Sequence, residues 1–581
     1  MAPTLSRHAG SPPNVVLVIT DDQGYGDLGC TGNPWLRTPA IDRFRAGSVR
    51  CSDFHVSALC TPTRGALMTG HRPMRNGAWA TCWGRSILRK TEVTMADVFA
   101  QNGYRTGMFG KWHLGDNYPY RPQDRGFQTV VAHKGGGVGQ TPDFWGNNYF
   151  DDTYFHNGEP RRHDGYCTDV WFEEALRFID SARGEPFFAY VATNAPHSPY
   201  LVADRYADPY RRIPDIPEPA FYGMIANIDE NFGSLVRALD EWGLAENTIL
   251  IFMTDNGTSG GCRLGEGAFV SAGYNAGMRG MKASYYDGGH RVPFFIRWPR
   301  GGIGGGRYVR EMALHVDLLP TFIDLCGLEA PPIPFDGTSI APLLRGEAER
   351  LPGDRIHFLQ NRQSTEPPGK WENAVITRRW RLVHGTELYD IWADPGQGRD
   401  IAGEHDDIVC ILREAHAKWW DEIADRFDDF CPISLGNDHE NPTRLNAMDV
   451  LGDVAWNQCH IAMARRSTGV WSVDVEQPGT YRLSLRRWPE ELGLPIDAVL
   501  SAEDTSRLAP YLPDAEPKGI GPARALVRLF DEERVFDVRP GAREAEVMVP
   551  VPRTGVTRLE AWFIDPAGER QGAYYVTVQR M

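Results

Sequence analysis

Asn14-Val-Val-Leu-Val-Ile-Thr20 is an unbroken apolar run that stops at Asp21-Asp22-Gln23-Gly24. Such a run suits a strand buried on both faces, as in a parallel α/β sheet, with polar residues at its C-terminal end. The pattern recurs twice. Thr168-Asp169 reads as the cap of a helix whose apolar positions are Trp171, Ala175, Leu176, Phe178 and Ile179, and Pro186 to Ala192 then reads as a strand ending before Asn194-Ala-Pro-His197. Ile225, Ile228, Phe232, Leu235, Val236 and Leu239 form a helical stripe that Gly243 closes. Thr248 to Thr254 follows as a third buried strand and ends at Asp255-Asn256-Gly257. Three strands thus finish in acid, amide or imidazole, and open α/β sheets bind ligands beyond the carboxyl ends of their strands.

After about residue 350 the segments become shorter and alternating, as in Trp380-Arg-Leu-Val and Glu387-Leu-Tyr-Asp, before a helix expected from about Asp407 to Asp425. From about 436 the alternation is plainer. Trp471, Val473 and Val475 face a turn and then Tyr481, Leu483 and Leu485, which reads as a hairpin with one buried face. Three later segments, 546–549, 558–564 and 573–578, look similar. The expected organisation is an α/β domain over 1–350, a small α+β subdomain over 351–435 that completes it, and a β-sandwich-like domain over 436–581.

Composition narrows the class. The 581 residues carry 76 acidic and 61 basic side chains, a formal charge of −15, which opposes broad binding to a phosphate backbone, so no nucleic-acid partner is expected. Hydrophobic residues at 42% and charged residues at 24% are ordinary for a globular chain. The ten cysteines lack C-x-x-C pairs and read mostly as buried free thiols. The first eight residues are polar, the first apolar run is too short for a leader, and no stretch approaches the ~20 apolar residues of a membrane span. A cytoplasmic protein without membrane contact is expected, with a homo-oligomer possible. Of the 61 basic residues only 7 are Lys, so each Lys invites a reason.

Cys60-Thr-Pro-Thr-Arg64 has the form C-x-P-x-R, which alone would arise by chance in about one chain in fifteen of this composition. Its company changes that. Gly110-Lys-Trp-His-Leu-Gly115 sets Lys111 and His113 two residues apart, able to project the same way from an extended chain. Lys282 lies in a second Gly-rich segment with a nearby His, and in an Arg-rich chain this points to a need for compact ammonium charges. An Asp-Asp pair after a strand is by itself more often a solvated turn. Two strand ends with Asp21, Asp22, Asp255 and Asn256 make the hard-oxygen set that Ca²⁺ prefers.

From Asn14 to about residue 425 the sequence resembles the formylglycine-dependent type I sulfatases, arylsulfatase-like members of the alkaline phosphatase superfamily. The resemblance rests on Asp21-Asp-Gln-Gly-Tyr-Gly-Asp27, Thr38-Pro-Ala-Ile-Asp42, the C-x-P-x-R pentapeptide, the Lys111 and His113 segment, Ala195-Pro-His197, Thr254-Asp-Asn-Gly257, the Lys282 segment, Leu388-Tyr-Asp390 and Asp394-Pro395, in the family's order. It implies an alkaline phosphatase-like sheet sandwiched by helices, and oxidation of Cys60 to formylglycine by a formylglycine-generating enzyme. It also implies a divalent cation, Ca²⁺ ahead of Mg²⁺ or Mn²⁺, held by Asp21, Asp22, Asp255, Asn256 and residue 60. By the same resemblance a diol hydroxyl of residue 60 attacks the sulfur of a sulfate ester, Arg64 holds the diol, and Lys111 bridges diol and sulfate. His197 with Lys282 serves the leaving oxygen, and His113 deprotonates the second hydroxyl.

The implied activity is hydrolysis of aryl, alkyl or carbohydrate sulfate monoesters. Phosphonate monoester or phosphodiester hydrolysis on the same scaffold is the alternative, and a non-catalytic binding protein is a third option that the intact motif set opposes. His290, His133 and His315 match no catalytic position, and Trp83, Trp145 and Tyr149 read as core before pocket wall. For 436–581, a structural or oligomer-forming role is favoured over a carbohydrate-binding rim.

Overall fold

The computed structural model describes residues 11–508, 510 and 516–581; the polar residues 1–8 of the leader argument lie outside these. A ten-stranded mixed sheet forms the centre, with five adjacent parallel strands, Thr129–His133, Arg105–Lys111, Phe187–Ala192, Asn14–Thr20 and Thr248–Thr254. Strand Phe294–Arg297 runs antiparallel beside Thr248–Thr254, and the hairpin of Thr153–His156 and Glu159–Arg162 closes the opposite edge.

The pleat sorts the side chains of each strand to two helical layers. Val15, Leu17 and Ile19 enter a core with helices Met95–Gln101 and Leu318–Cys326, while Val16 and Val18 meet helices Pro39–Gly47, Cys167–Ser181 and Pro219–Glu241. Both faces are therefore buried, as the continuous apolar runs require. The expected helix cap at Thr168-Asp169 is not formed. The helix starts at Cys167, with Tyr166 ahead of it and no side-chain cap, because Thr168 is already inside the first turn and fully buried.

A four-stranded antiparallel meander, His357–Gln360 through Glu387–Asp390, follows. One face receives Leu412 of helix Asp406–Ile423, and the other packs on Ala58, Ala66 and Val316 of the catalytic unit. The last part of the chain is a two-sheet sandwich of six and four strands, beginning with Ile433–Leu435, around Trp471, Val473, Leu483, Leu485, Val527, Ala561 and Val578. The expected hairpin is absent. Val470–Val475 pairs with Gly555–Ile564, whereas Gly479–Arg486 pairs with Ala545–Val551 and Tyr575–Arg580, so the short turn between them carries the chain from one sheet to the other. Alternation alone reports a buried face, and two facing sheets present the same pattern as two paired strands. No helix among the described residues is long and apolar enough to cross a membrane.

Candidate active site

Register builds the centre. Thr20 pairs with Thr254, so Asp21-Asp22 and Asp255-Asn256 leave the sheet side by side. Carboxylate oxygens of Asp21, Asp22 and Asp255 lie within 4.8 Å of one another, and all three residues are buried. The Asp22 amide donates to Asp255 Oδ1 at 3.0 Å and Asn256 Nδ2 donates to Asp22 Oδ1 at 3.0 Å. At Gly257 a Cβ would stand 1.9 Å from the Gly288 carbonyl oxygen, a contact only glycine allows. That close approach brings in the next segment, where the Lys282 amide donates to Thr258 O and Lys282 Nζ reaches Asp22 Oδ2 at 2.7 Å.

Helix Cys60–Thr69 is wholly buried and starts at residue 60, where the open backbone N–H groups of a helix N-terminus favour negative charge. Arg64, one turn on, directs Nε and Nη2 to Asp255 Oδ2 and Nη1 to the Lys111 carbonyl at 3.0 Å. Lys111 ends strand Arg105–Lys111 and places Nζ 2.6 Å from Asp21 Oδ2. His113, at a left-handed φ of 60°, sets Nδ1 3.5 Å from Cys60 Sγ. Its Nε2 lies 2.9 Å from the Thr81 carbonyl, which accepts only, so the hydrogen-bond pattern assigns the proton to Nε2 and leaves the Nδ1 lone pair facing residue 60. His197 has Nδ1 2.7 Å from the Ser198 carbonyl and Nε2 3.7 Å from Asp22 Oδ2. All ten residues singled out in the sequence meet in this one site.

The electrostatics divide the groups by role. Burial pushes the Asp255 carboxyl up to about 7, Asp21 adds to this, and Arg64 and Lys111 oppose it. Burial also raises Asp22, but Lys282 and His197 outweigh it and hold that carboxyl below the usual range. Burial, with Lys111 beside it, keeps His113 well below an ordinary histidine, so it is a neutral base at pH 7. Burial lowers His197 to about 4, an effect tempered by its side chain being 18% exposed. The Cys60 thiol is raised by burial against the pull of Lys111 and Lys282, so the unmodified thiol is a poor nucleophile.

The donor set fits a hard divalent cation. Asp21 Oδ1 and Asn256 Oδ1 are buried without a hydrogen-bond partner, which is costly for acceptors that nothing else satisfies. Both belong to the oxygen-only set that Ca²⁺ or Mg²⁺ takes.

The sulfatase family model matches residues 13–328, more than half of the chain. The chain is a sulfatase. A second model, the N-sulphoglucosamine sulphohydrolase C-terminal region, matches residues 281–419. Among curated relatives, arylsulfatase A of Homo sapiens is 34% identical over 66% of this chain and 78% of its own. N-acetylgalactosamine-6-sulfatase of Mus musculus is 30% identical over 71% of this chain and 80% of its own. The solved structure of Ps i-CgsB in complex with k-i-k-neocarrahexaose superposes with a TM-score of 0.63 at 26% identity, covering 72% of this chain and all of that one. The fold is the alkaline phosphatase-like one of these sulfatases.

The candidate site also contains contacts that the sequence does not single out. Gly136 faces His113 so closely that a Cβ would lie 2.2 Å from Cε1 of the imidazole. Tyr149 is buried as expected of core, but its hydroxyl donates to the His197 carbonyl at 3.0 Å. Lys134 shares the Gly-rich, His-adjacent surroundings of Lys111 and Lys282, yet its Nζ lies over the Phe155 ring. Composition therefore selects two lysines of the cluster and one outside it. His290 belongs to a separate buried network with His55, and His315 bonds to Ser57, as their missing motif matches imply.

Proposed function

We propose that this sulfatase hydrolyses sulfate monoesters with a hydrated formylglycine made from Cys60 by a formylglycine-generating enzyme. The observation that carries the reading is the placement of Cys60 at a buried helix start, with the His113 lone pair facing it and the charges of Lys111, Lys282, Asp21 and Asp255 acting on it. Asp21, Asp22, Asp255, Asn256 and residue 60 would hold the cation, Ca²⁺ by preference. When bound, it supplies positive charge to the sulfuryl oxygens and acidifies the diol.

Asp255 takes the proton of one diol hydroxyl, whose oxygen attacks sulfur as the S–O bond to the alcohol breaks. Lys111 and Lys282 neutralise charge on the sulfuryl group, and Arg64 keeps Asp255 in place. The arriving ester anion raises the proton affinity of His197, which with Lys282 protonates the leaving alkoxide. His113 Nδ1 then takes the proton of the second hydroxyl, the aldehyde reforms, and the C–O bond to sulfate breaks. Water rehydrates the aldehyde and closes the cycle.

Carbohydrate and aryl sulfates are the substrate classes supported by the names of the relatives, and a panel of aryl, alkyl and sugar sulfates run beside a phenylphosphonate ester tests this. A strong phosphonate preference would overturn it. Mass spectrometry of the peptide with residue 60 from the native host tests the nucleophile, since conversion lowers the mass by about 18 Da. Finding only the thiol there would sink the mechanism.

We assign catalysis to 1–350 with completion by 351–435, and a bracing role to 436–581. Support for the brace comes from Gln458, whose Nε2 lies 3.2 to 3.3 Å from the carbonyls of Gln140, Asp143 and Phe144, and whose Oε1 accepts from the Gly146 amide at 3.0 Å. These hold the loop that carries Gly136. All ten cysteines are free, which supports the reducing, cytoplasmic location.

A further inference from the structure

Three sets of potential metal ligands occur among the described residues. One is the active site. In the second, around His55, Asp287 and His290, the Arg381 guanidinium already supplies the positive charge, with Nε 2.8 Å from Asp287 Oδ1 and Nη2 3.2 Å from Asp53 Oδ1. The third, His156, His163 and Glu174, stands at the edge of the large sheet where the hairpin Thr153–His156 and Glu159–Arg162 meets helix Cys167–Ser181.

Two periodicities assemble it. Tyr154 and His156 are two apart on a strand and share a face; Trp171 and Glu174 are three apart on the helix and share another. The Tyr154 ring packs on Trp171 with centroids 4.2 Å apart and on His163 at 5.7 Å, which fixes hairpin against helix. Beyond that contact the two imidazoles lie 7° from parallel, with Nε2 of His156 2.8 Å from Nε2 of His163, and a Glu174 oxygen is within 4.8 Å of both. Two ring nitrogens at this separation share one proton, so at least one ring is neutral and turns a lone pair into the gap.

We propose that His156, His163 and Glu174 form a second metal site that binds Zn²⁺, separate from the oxygen-rich active site. Two imidazoles and one carboxylate are a zinc donor set, softer than the hard-oxygen set of the active site. Tetrahedral zinc at about 2.0–2.1 Å from each nitrogen needs them about 3.3 Å apart, so the rings part by only roughly half an ångström as the shared proton leaves. Glu174 now pairs with Arg177, a side chain 66% exposed, and such pairs are weak; Glu173, 3.6 Å from Arg177, offers it a second partner. The fourth position is left for water. The ion ties to the helix a hairpin whose Phe155 and Pro160 wall a cavity of about 530 Å³ between the sheet edge and the sandwich.

The test uses tag-free, full-length protein stripped with chelator, supplied with millimolar Ca²⁺ to cover the oxygen-rich site, and dialysed against Zn²⁺. Wild type is expected to retain one equivalent more zinc than His156→Asn/His163→Asn and to melt at a higher temperature with zinc, a shift the double variant lacks. Glu174→Gln should weaken zinc binding on the order of tenfold or more. Equal zinc content in wild type and double variant, or an equal melting shift in both, overturns the proposal. If the double variant does not fold, Glu174→Gln and His163→Asn carry the same comparison singly.

Discussion

Arg64 donates two hydrogen bonds to one oxygen of Asp255, from Nε at 3.1 Å and Nη2 at 2.8 Å, and both side chains are fully buried. The fork fixes where Asp255 can point. Arg64→Ala leaves that carboxylate buried beside Asp21 without its partner, a loss of about 3–5 kcal/mol that a melting curve will read. Arg64→Lys keeps the charge but not the fork, and it should fold while turnover falls about 10²-fold.

Gly136→Ala places a methyl 2.2 Å from Cε1 of His113 unless the ring moves. A displaced base slows release of sulfate from residue 60 more than it slows binding, so kcat should fall on the order of 10²-fold with KM little changed. A sulfated peptide 60 should then accumulate and be visible by mass spectrometry. An unchanged kcat would show that His113 does not act in the release step.

Gln458→Ala removes an amide whose two N–H groups are shared among three carbonyls, and whose oxygen accepts one amide, holding segment 140–146 from the sandwich side. The Gln140 and Phe144 carbonyls keep the Asp143 and Asn147 amides as donors, so the loss falls mainly on the Asp143 carbonyl, about 1–3 kcal/mol, and urea unfolding should shift to lower concentration. Turnover of even a small aryl sulfate should drop several-fold, since Gln140 of this segment accepts from the amide of Gly136, the wall of His113. Stability loss without any change in turnover would refute the brace.

Asp287 pairs with Arg381 in the buried network under the Lys282 segment. Burial raises its carboxyl, but Arg381, His55 and His290 outweigh this and hold it below the usual carboxylate range. Its contribution is therefore complete above the unfolded value near 4 and is lost as pH falls toward the depressed folded one. Asp287→Asn should lower stability by about 3–5 kcal/mol at pH 7 and flatten the fall of melting temperature below about pH 4.

The sequence made the strands that lead into the Asp cluster legible because runs such as Asn14–Thr20 and Thr248–Thr254 are apolar on both faces and stop abruptly in Asp. Arg64 and Lys111 were legible through motif and rarity. Gly136, Gln458 and the hydroxyl contact of Tyr149 were not, since each works through a contact between segments distant in the chain, which no local period records. The crossing of Val470–Val475 and Gly479–Arg486 into opposite sheets was hidden for the same reason.

Thr20 stands opposite Thr254 across two neighbouring parallel strands, and Asp21 and Asp255 follow immediately after them. Sliding either strand by one residue would turn its buried side chains to the wrong layer and carry Asp21 past Asp255. Insertions inside these strands are therefore doubly forbidden, while the exposed turn at Asn157-Gly158 can lengthen without consequence for them. Turnover in this enzyme doubles as a gauge of strand alignment: a misaligned sheet could remain compact, but it could not cleave an ester.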